Sequence, residues 1–334
     1  MKDLQAIVAR LSGTAGDAGG NVLATLVSVE GSSYRRAGAR LLTAGEGTRI
    51  GSISGGCLEE DVLVRANSVR ESGRAELVVY DTRSENDLVW GVGLGCHGVV
   101  RVLIEKLPPR PAWARALAAN LAEARETRLS VVWEATNPAL VGTRLSESLP
   151  ALPEGAKLFR QVLAPPPALV IFGAGDDAMP LVRGASEFGW RVTIADPRPT
   201  FVSAERFPEA DTRVSAPAHE LVALASPGPA ALAVVMTHHY VHDVPILRDL
   251  LQRPLAYLGL LGPRKRAEKI LADLAAAGLA IAPGRQTSLR APVGLDIGAE
   301  TPQEVALSIL AEMRASLGGR DGRPLRDRNG PIHE

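Results

Sequence analysis

The run Ala168-Leu-Val-Ile-Phe172 stops at Gly173-Ala-Gly175-Asp-Asp-Ala178, and helical spacing of apolar residues opens directly behind it, through Phe188. That succession specifies a buried strand, a tight turn and a helix, and Gly173-x-Gly175-x-x-Ala178 fits the fingerprint of a nucleotide-binding βαβ unit. Gly173 permits the turn, Gly175 lets backbone approach a ligand, and small Ala178 lets helix and strand pack closely. A second apolar run, Arg191–Ala195, ends in Asp196, where such a unit meets a ribose or another donor-rich group. The expectation is α/β: a C-terminal Rossmann-like, doubly wound parallel sheet, joined to an N-terminal α/β domain.

Asp176 and Asp177 fill the variable positions of the turn. Acids in a first helical turn suit the helix dipole, but a phosphate placed there would meet two like charges. The plain reading of the two acids is helix capping; the turn also leaves room for a ligand that presents N–H donors to a carboxylate.

A chain of 334 residues accommodates two domains, and an apolar fraction of 46% supplies their cores. Ala164-Pro-Pro-Pro167 is a stiff linker. It divides residues 1–164 from a Rossmann-like domain over 165–318, and the polar tail 319–334 is expected to be disordered. Lys plus Arg and Asp plus Glu are 37 each, so charge gives no argument for nucleic acid or an anionic membrane. No apolar run is long enough to span a bilayer and the N-terminus has no apolar signal region. With two cysteines and no disulfide framework, a cytoplasmic setting with reduced thiols is expected.

Helices are predicted near 2–11, 58–71, 112–126, 245–251, 264–277 and 301–317. Thr301, Pro302 and Glu304 mark the start of the last as a capping box. Strands are predicted near 21–30, 41–43, 75–80, 99–105, 129–133, 158–162, 231–236 and 255–261. In an open parallel sheet ligands gather at the carboxyl ends of strands. Gly173–Asp177, Asp196, His238-His239 and Gly262–Arg266 should therefore share a crevice.

Two small-residue loops carry the cysteines. Gly55-Gly56-Cys57 leads into the helix at Leu58, and Gly93-Leu-Gly-Cys96 precedes a strand. A helix N-terminus lowers a thiol pKa, and thiolates suit soft metals; the plainer reading is a small apolar residue filling a tight core position. A zinc site is disfavoured, because no Cys-x-x-Cys pair exists. His238 or His239 could carry a proton or ligate a metal, or one could bond backbone while the other faces solvent. Asp243 and Asp296 could orient a histidine, and are otherwise ordinary loop carboxylates. Arg264, Lys265 and Arg266 open a helix against its dipole, which calls for an anion unless the turn is simply solvated. Arg35, Arg36 and Arg40 invite the same two readings.

These stretches together resemble the XdhC/CoxI family of xanthine dehydrogenase accessory proteins. The resemblance rests on Gly31-Ser-Ser-Tyr-Arg-Arg-Ala-Gly-Ala39, Gly51-Ser-Ile-Ser-Gly-Gly-Cys-Leu-Glu59, Gly93-Leu-Gly-Cys96 and the Rossmann strand. Gly189-Trp-Arg-Val-Thr-Ile-Ala-Asp-Pro-Arg198, Met236-Thr-His238, Tyr257–Arg266 and Gly294-Leu-Asp-Ile-Gly-Ala299 complete it, covering about residues 20–317. It implies a bacterial chaperone for molybdenum cofactor with no turnover of its own. Such a protein binds the molybdopterin form as cargo while a cysteine desulfurase installs the sulfido ligand, then inserts it into xanthine dehydrogenase or a related molybdenum hydroxylase. A homo-oligomer is compatible with this.

The implied metal contacts are Cys57 and Cys96. The implied cofactor-binding set adds Gly55, Gly56, Gly173, Gly175, Asp177, Asp196, His238 and Arg264, with a carboxylate such as Asp196 or Asp177 taking the pterin's N–H edge. Two positions depart from the family's common pattern: Asp176-Asp177 stands where His-Val is frequent, and Gly95-Cys-His-Gly98 where Gly-Cys-Gly-Gly is frequent. The rival readings are an NAD(P)-dependent oxidoreductase with a histidine proton relay and a nucleotide-sensing regulator.

Overall fold

A computed structural model of the chain describes residues 1–13, 20–45, 47–81, 83, 98–279 and 289–329. The chain divides into two compact units, Met1–Pro165 and Pro166–Glu334.

The first unit opens with α1 (Lys2–Ser12) and then β1 (Val22–Gly31), β2 (Arg40–Thr43) and β3 (Arg49–Gly51). Next come α2 (Glu59–Ser72), β4 (Glu76–Asp81), β5 (Gly98–Lys106), α3 (Ala112–Ala122), β6 (Thr127–Glu134), β7 (Gly142–Leu145) and β8 (Lys157–Leu163). Five strands form an antiparallel sheet in the order β3-β2-β1-β5-β4, and a second sheet has the order β7-β6-β8. The six leading residues of β1 are all buried, as befits a central strand covered on both faces. Alternate residues serve two cores. Val22, Ala24 and Leu26 pack with α2 through Val62, Ala66 and Val69. Leu23 and Leu42 pack with α1, α3 and β6 through Leu11, Leu117 and Leu129.

Arg40, a candidate anion ligand by sequence, is 4% exposed. It donates to Gly38 O and to Gln161 Oε1 at 2.9 and 2.8 Å. Its Nε and one terminal nitrogen are buried with no hydrogen-bond partner among the described residues. Burial lowers its pKa to about 10, against the opposing pull of Glu105. Glu105 is also buried, and desolvation raises its pKa although Thr143 donates to it through N–H and hydroxyl. Arg40 is thus part of the interior, since its place in β2 turns it inward. Of its neighbours, Arg35 lies 3.5 Å from Asp3 and Arg36 is exposed.

The second unit contains β9 (Ala168–Phe172), α4 (Ala178–Glu187), β10 (Arg191–Asp196), β11 (Thr212–Ser215), α5 (Ala218–Ala225) and β12 (Leu232–Val235). It continues with α6 (Tyr240–Leu250), β13 (Tyr257–Leu260), α7 (Arg264–Ala276), β14 (Leu289–Arg290) and α8 (Pro302–Leu317). The strand order is β11-β10-β9-β12-β13-β14, every pair parallel. This is the 3-2-1-4-5-6 order of a doubly wound dinucleotide-binding sheet, with its topological switch between β9 and β12. One core lies under α4 and α8 and another under α5, α6 and α7, so both faces of the sheet are covered. The capping box at Thr301 and Glu304 forms as expected.

The sequence places a helix start near Pro245, but α6 begins five residues earlier, at Tyr240, with Pro245 inside it. A proline there removes one N–H and crowds the carbonyl four residues back, that of Val241, whose side chain is 71% exposed. Burial of Asp243, Ile246, Leu247 and Leu250 outweighs that local cost. The expected helix over 112–126 stops at Ala122, where Ala124 takes a left-handed φ of 54°. The short strands β3, β7 and β11 and the helix α5 carry too little periodic pattern to be read from sequence. In the tail, Leu325–Asp327 forms a 3-10 turn. Among the described residues no helix is long and apolar enough to cross a membrane.

Candidate functional site

In the first unit the stretch from Ser52 to Leu58 folds around one carboxylate. Glu59, the first residue of α2, is 5% exposed and turns back into the loop that precedes it. Its Oε1 accepts from Ser52 Oγ, Ile53 N–H and Ser54 N–H at 3.0, 3.2 and 2.9 Å. Its Oε2 accepts from Gly56 N–H at 3.1 Å and from the Ser54 hydroxyl. Ser54 Oγ in turn accepts from Gly56 and Leu58 N–H at 3.1 and 3.2 Å. Burial pushes the Glu59 carboxyl up, but the donors from Ser54 and Ser52 outweigh it and hold the group below the ordinary carboxylate range. The acid thus stays charged and sets the shape of the loop.

The tip of that loop is Gly55-Gly56-Cys57, all exposed. Gly56 has φ 116°, a conformation that favours glycine. The Tyr34 ring, itself 66% exposed, flanks Gly55. Below the tip, Tyr80 and Arg65 both donate to Asp61 of α2 at 2.6 and 2.7 Å, and Arg65 reaches Glu76 of β4 at 2.6 Å. Cys57 therefore stands on a fixed support and faces outward, so it does not fill a core position. Cys96 lies outside the described residues. No group of three or more His, Cys, Asp or Glu able to hold a metal ion occurs among the described residues.

In the second unit the carboxyl edge of the sheet brings together several of the predicted groups. Gly173 has φ 121°, and a Cβ there would lie 2.4 Å from Met236 O, so this glycine serves the close approach of the β9 and β12 ends. Ala178 is fully buried, as the fingerprint requires. Asp177, 19% exposed at the side chain, places Oδ2 2.6 Å from His238 Nε2 across the switch point. His238 is 56% exposed at the side chain and adopts φ 60°, a left-handed conformation unusual outside glycine and characteristic of sites held by their surroundings. Asp176 is 85% exposed and pairs with Arg206 at 2.9 Å.

Asp196 differs from the expectation that it meets a ligand. It is 0% exposed, and its oxygens accept from Ala174 N–H at 2.7 Å, Arg198 N–H at 2.8 Å and the Arg198 guanidinium at 2.9 Å twice. Burial pushes this carboxyl up, while the Arg198 and Ala174 donors more than offset it and keep the group ionised. Arg198, stacked 3.7 Å over the Phe201 ring, thus satisfies the acid internally, and Asp196 fixes the glycine turn.

Asp243 likewise does not orient a histidine. It is 1% exposed, accepts from Thr237 Oγ1 at 2.5 Å and is gripped by the Arg266 guanidinium, whose Nε is 3.0 Å away. The same guanidinium donates to His238 O at 3.3 Å. Arg266 therefore ties the start of α7 to the loop that presents His238. Arg264 and Lys265 are exposed, with no ion-pair partner among the described residues, at a helix start that has no side-chain cap. His239 caps α6 by position, its ring 5.4 Å from that of His242, and Asp296 is exposed in the loop before α8. Sequence reasoning missed Glu59, Ser54, Arg198 and Arg266 as organisers. The signal for Arg198 was its place two residues beyond an acid at a strand end, where a fork can reach back.

Comparison with known proteins places this architecture. Residues 169–313 match the XdhC Rossmann domain and residues 17–81 match the XdhC and CoxI family. A Bacillus subtilis protein, named as a probable component of xanthine dehydrogenase, is 35% identical over 313 residues, covering 87% of this chain and 92% of its own. The chain belongs to the XdhC and CoxI family. A second relative, named molybdenum cofactor insertion chaperone PaoD, from Escherichia coli, is 26% identical over 88% of this chain and 82% of its own. A crystal structure described as a xanthine dehydrogenase from Bacillus halodurans superposes with a TM-score of 0.81 at 31% identity, covering 96% of this chain and 97% of that one.

Proposed function

We propose that the chain is a molybdenum-cofactor chaperone. It takes sulfurated molybdopterin as cargo, shields it, and promotes its insertion into xanthine dehydrogenase or a related molybdenum hydroxylase, with a cysteine desulfurase as its second partner. The observation that carries this reading is the Cys57 loop. A soft thiol stands exposed directly after two bare glycines, on a loop whose shape Glu59 has already set, and thiolate sulfur suits a sulfur-ligated molybdenum centre. Cys96 is the second sulfur of this proposal. On the Rossmann side, Asp177 and His238 suit the donor edge of a pterin, and Arg264 and Lys265 suit its phosphate. Gly173 and the internally satisfied Asp196 support that edge from beneath. The relative named as a cofactor insertion chaperone supports the general role.

The strand order favours a second reading, an NAD(P)-dependent oxidoreductase. It is the weaker one, because the acid that would hold the ribose is buried and spent.

The test is anaerobic purification from a host that makes molybdenum cofactor. Molybdenum would be measured by mass spectrometry, pterin by fluorescence after oxidation, and nicotinamide dinucleotide by enzymatic assay. Wild type should carry molybdenum and pterin, and Cys57→Ser should lose them while melting normally. If Cys57→Ser, Cys96→Ser and the double variant all retain cargo as wild type does, thiolate coordination is excluded. Bound dinucleotide without pterin would overturn the chaperone reading, and hydride transfer would then have to be assayed to establish the oxidoreductase.

A further inference from the structure

We propose that Asp177 and His238 form a selectivity clasp, one that closes the phosphate seat of the glycine turn against nucleotide diphosphates and leaves a carboxylate for a ligand bearing N–H donors. The identity of that donor-bearing ligand as a pterin rests on the function proposed above; the rejection of nucleotides does not.

The seat is filled from within. The fingerprint's second glycine is bare so that a pyrophosphate can come close. At Gly175 a Cβ would meet Asp177 Oδ1 at 2.6 Å, so the space left by the missing side chain is already taken by a carboxylate of the same turn. That carboxylate does not swing freely, because its Oδ2 lies 2.6 Å from His238 Nε2. His238 is held in turn, through its left-handed backbone and the Arg266 donation to its carbonyl at 3.3 Å.

Part of the helix start is engaged as well. A phosphate at a helix N-terminus is held by free N–H groups of the first turn. In α4, Ala178 N–H donates to Gly175 O at 3.2 Å and Met179 N–H to Asp176 O at 3.3 Å, and Pro180 has no N–H. The second handle of a nucleotide-binding unit, the acid at the end of β10, is closed by Arg198. Both places where this fold grips a nucleotide thus hold the chain's own groups: a carboxylate where the pyrophosphate would sit, and a guanidinium where the ribose hydroxyls would donate.

A dianionic phosphate would have to expel the Asp177 carboxylate or sit against it, whereas an N–H donor can bond the carboxylate's remaining lone pairs at the partly exposed edge. Asp176 makes an internal control. It carries the same charge one residue earlier, but its side chain is 85% exposed and turned to Arg206, outside the seat.

The test is calorimetric titration of the full chain with ADP and NAD as nucleotide probes and neopterin as a pterin probe. Wild type should show no saturable ADP binding at millimolar concentration. Asp177→Gly, which empties the seat and removes the charge, should bind ADP about tenfold or more tightly than wild type. Asp177→Asn should gain less, because the amide still fills the space, and Asp176→Asn should stay as wild type. Micromolar ADP binding by wild type overturns the clasp, as does a folded Asp177→Gly with no gain, or an equal gain in Asp176→Asn. If Asp177→Gly does not fold, the Asn variant decides: any gain in ADP binding supports the clasp and none overturns it. Neopterin should bind wild type and weaken in Asp177→Gly. A variant that gains ADP yet keeps neopterin leaves the clasp standing and removes the pterin contact from the proposed function.

Discussion

Replacing Glu59 should unmake the loop that carries Cys57 while leaving the cysteine itself untouched. The carboxylate accepts from three backbone N–H groups, those of Ile53, Ser54 and Gly56, and from the hydroxyls of Ser52 and Ser54. In Glu59→Ala, Ile53 and Ser54, both buried, lose their acceptor, and Gly56 keeps only Ser54 Oγ. An orphaned buried donor costs about 1–3 kcal/mol, so two of them and a weakened third sum to about 3–5 kcal/mol after relaxation. For a unit of this size that lowers Tm by roughly 10 °C. Glu59→Gln keeps one accepting oxygen but turns an amide N–H₂ toward donors, so about half the loss is expected.

The sign of the pH dependence follows from the depressed carboxyl. A folded-state pKa below the unfolded value means the stabilisation is fully present above about pH 4.3 and is lost as pH falls through the folded pKa. The gap between wild type and Glu59→Gln should therefore close in acid. The assays are thermal melts from pH 7 downward and hydrogen exchange at residues 53, 54 and 56. A Glu59→Ala protein that melts within about 1 kcal/mol of wild type, with exchange protection intact at those amides, would refute the idea that this acid shapes the loop.

Three further outcomes follow from the same kind of reasoning. Gly173→Ala should cost about 3 kcal/mol or more, read in a urea melt, because the new Cβ meets Met236 O at 2.4 Å and φ is 121°. Asp243→Ala should destabilise by about 3–5 kcal/mol, since it strips a buried partner from Arg266 and Thr237; loss of order at His238, seen as broadened or shifted histidine resonances, should accompany it. Glu105 titrates in the opposite sense from Glu59: its carboxyl is raised by burial, so the folded state gives up stability as pH rises from about 4.3 through the folded pKa. Glu105→Gln should flatten that decline in melts between pH 4 and 8.

The Rossmann unit was legible because its cues are local and redundant. Ala168–Phe172, the glycine turn and the run ending at Asp196 each predict what the others require, and the capping box at Thr301 fixes the start of α8 from three residues. Cys57 was legible as a residue beside a helix start, and its exposure rules out the core-filling reading. What the sequence did not show is how charges pair once the chain closes. Asp196 reads as a ligand group until Arg198 folds back on it, and Arg40 reads as an anion ligand until its place in β2 turns it inward. Pro245 misplaced a helix start because burial of Ile246, Leu247 and Leu250 outweighs one missing hydrogen bond. In each case pairing or burial in the folded chain overrides the rule read from the local pattern.

The position of β1 also bears on how the chain is made. It pairs on one side with β2, which follows within a few residues, and on the other with β5, whose last residue is Lys106. On a ribosome adding about 5–20 residues each second, the interval from residue 31 to residue 106 is about 4–15 s. Throughout it, the apolar stretch Val22–Val27 presents an unpaired edge. Nascent chains paused in that interval should be the ones most prone to associate with each other or with holdase chaperones, and slower synthesis ahead of β5 should lower the yield of folded protein.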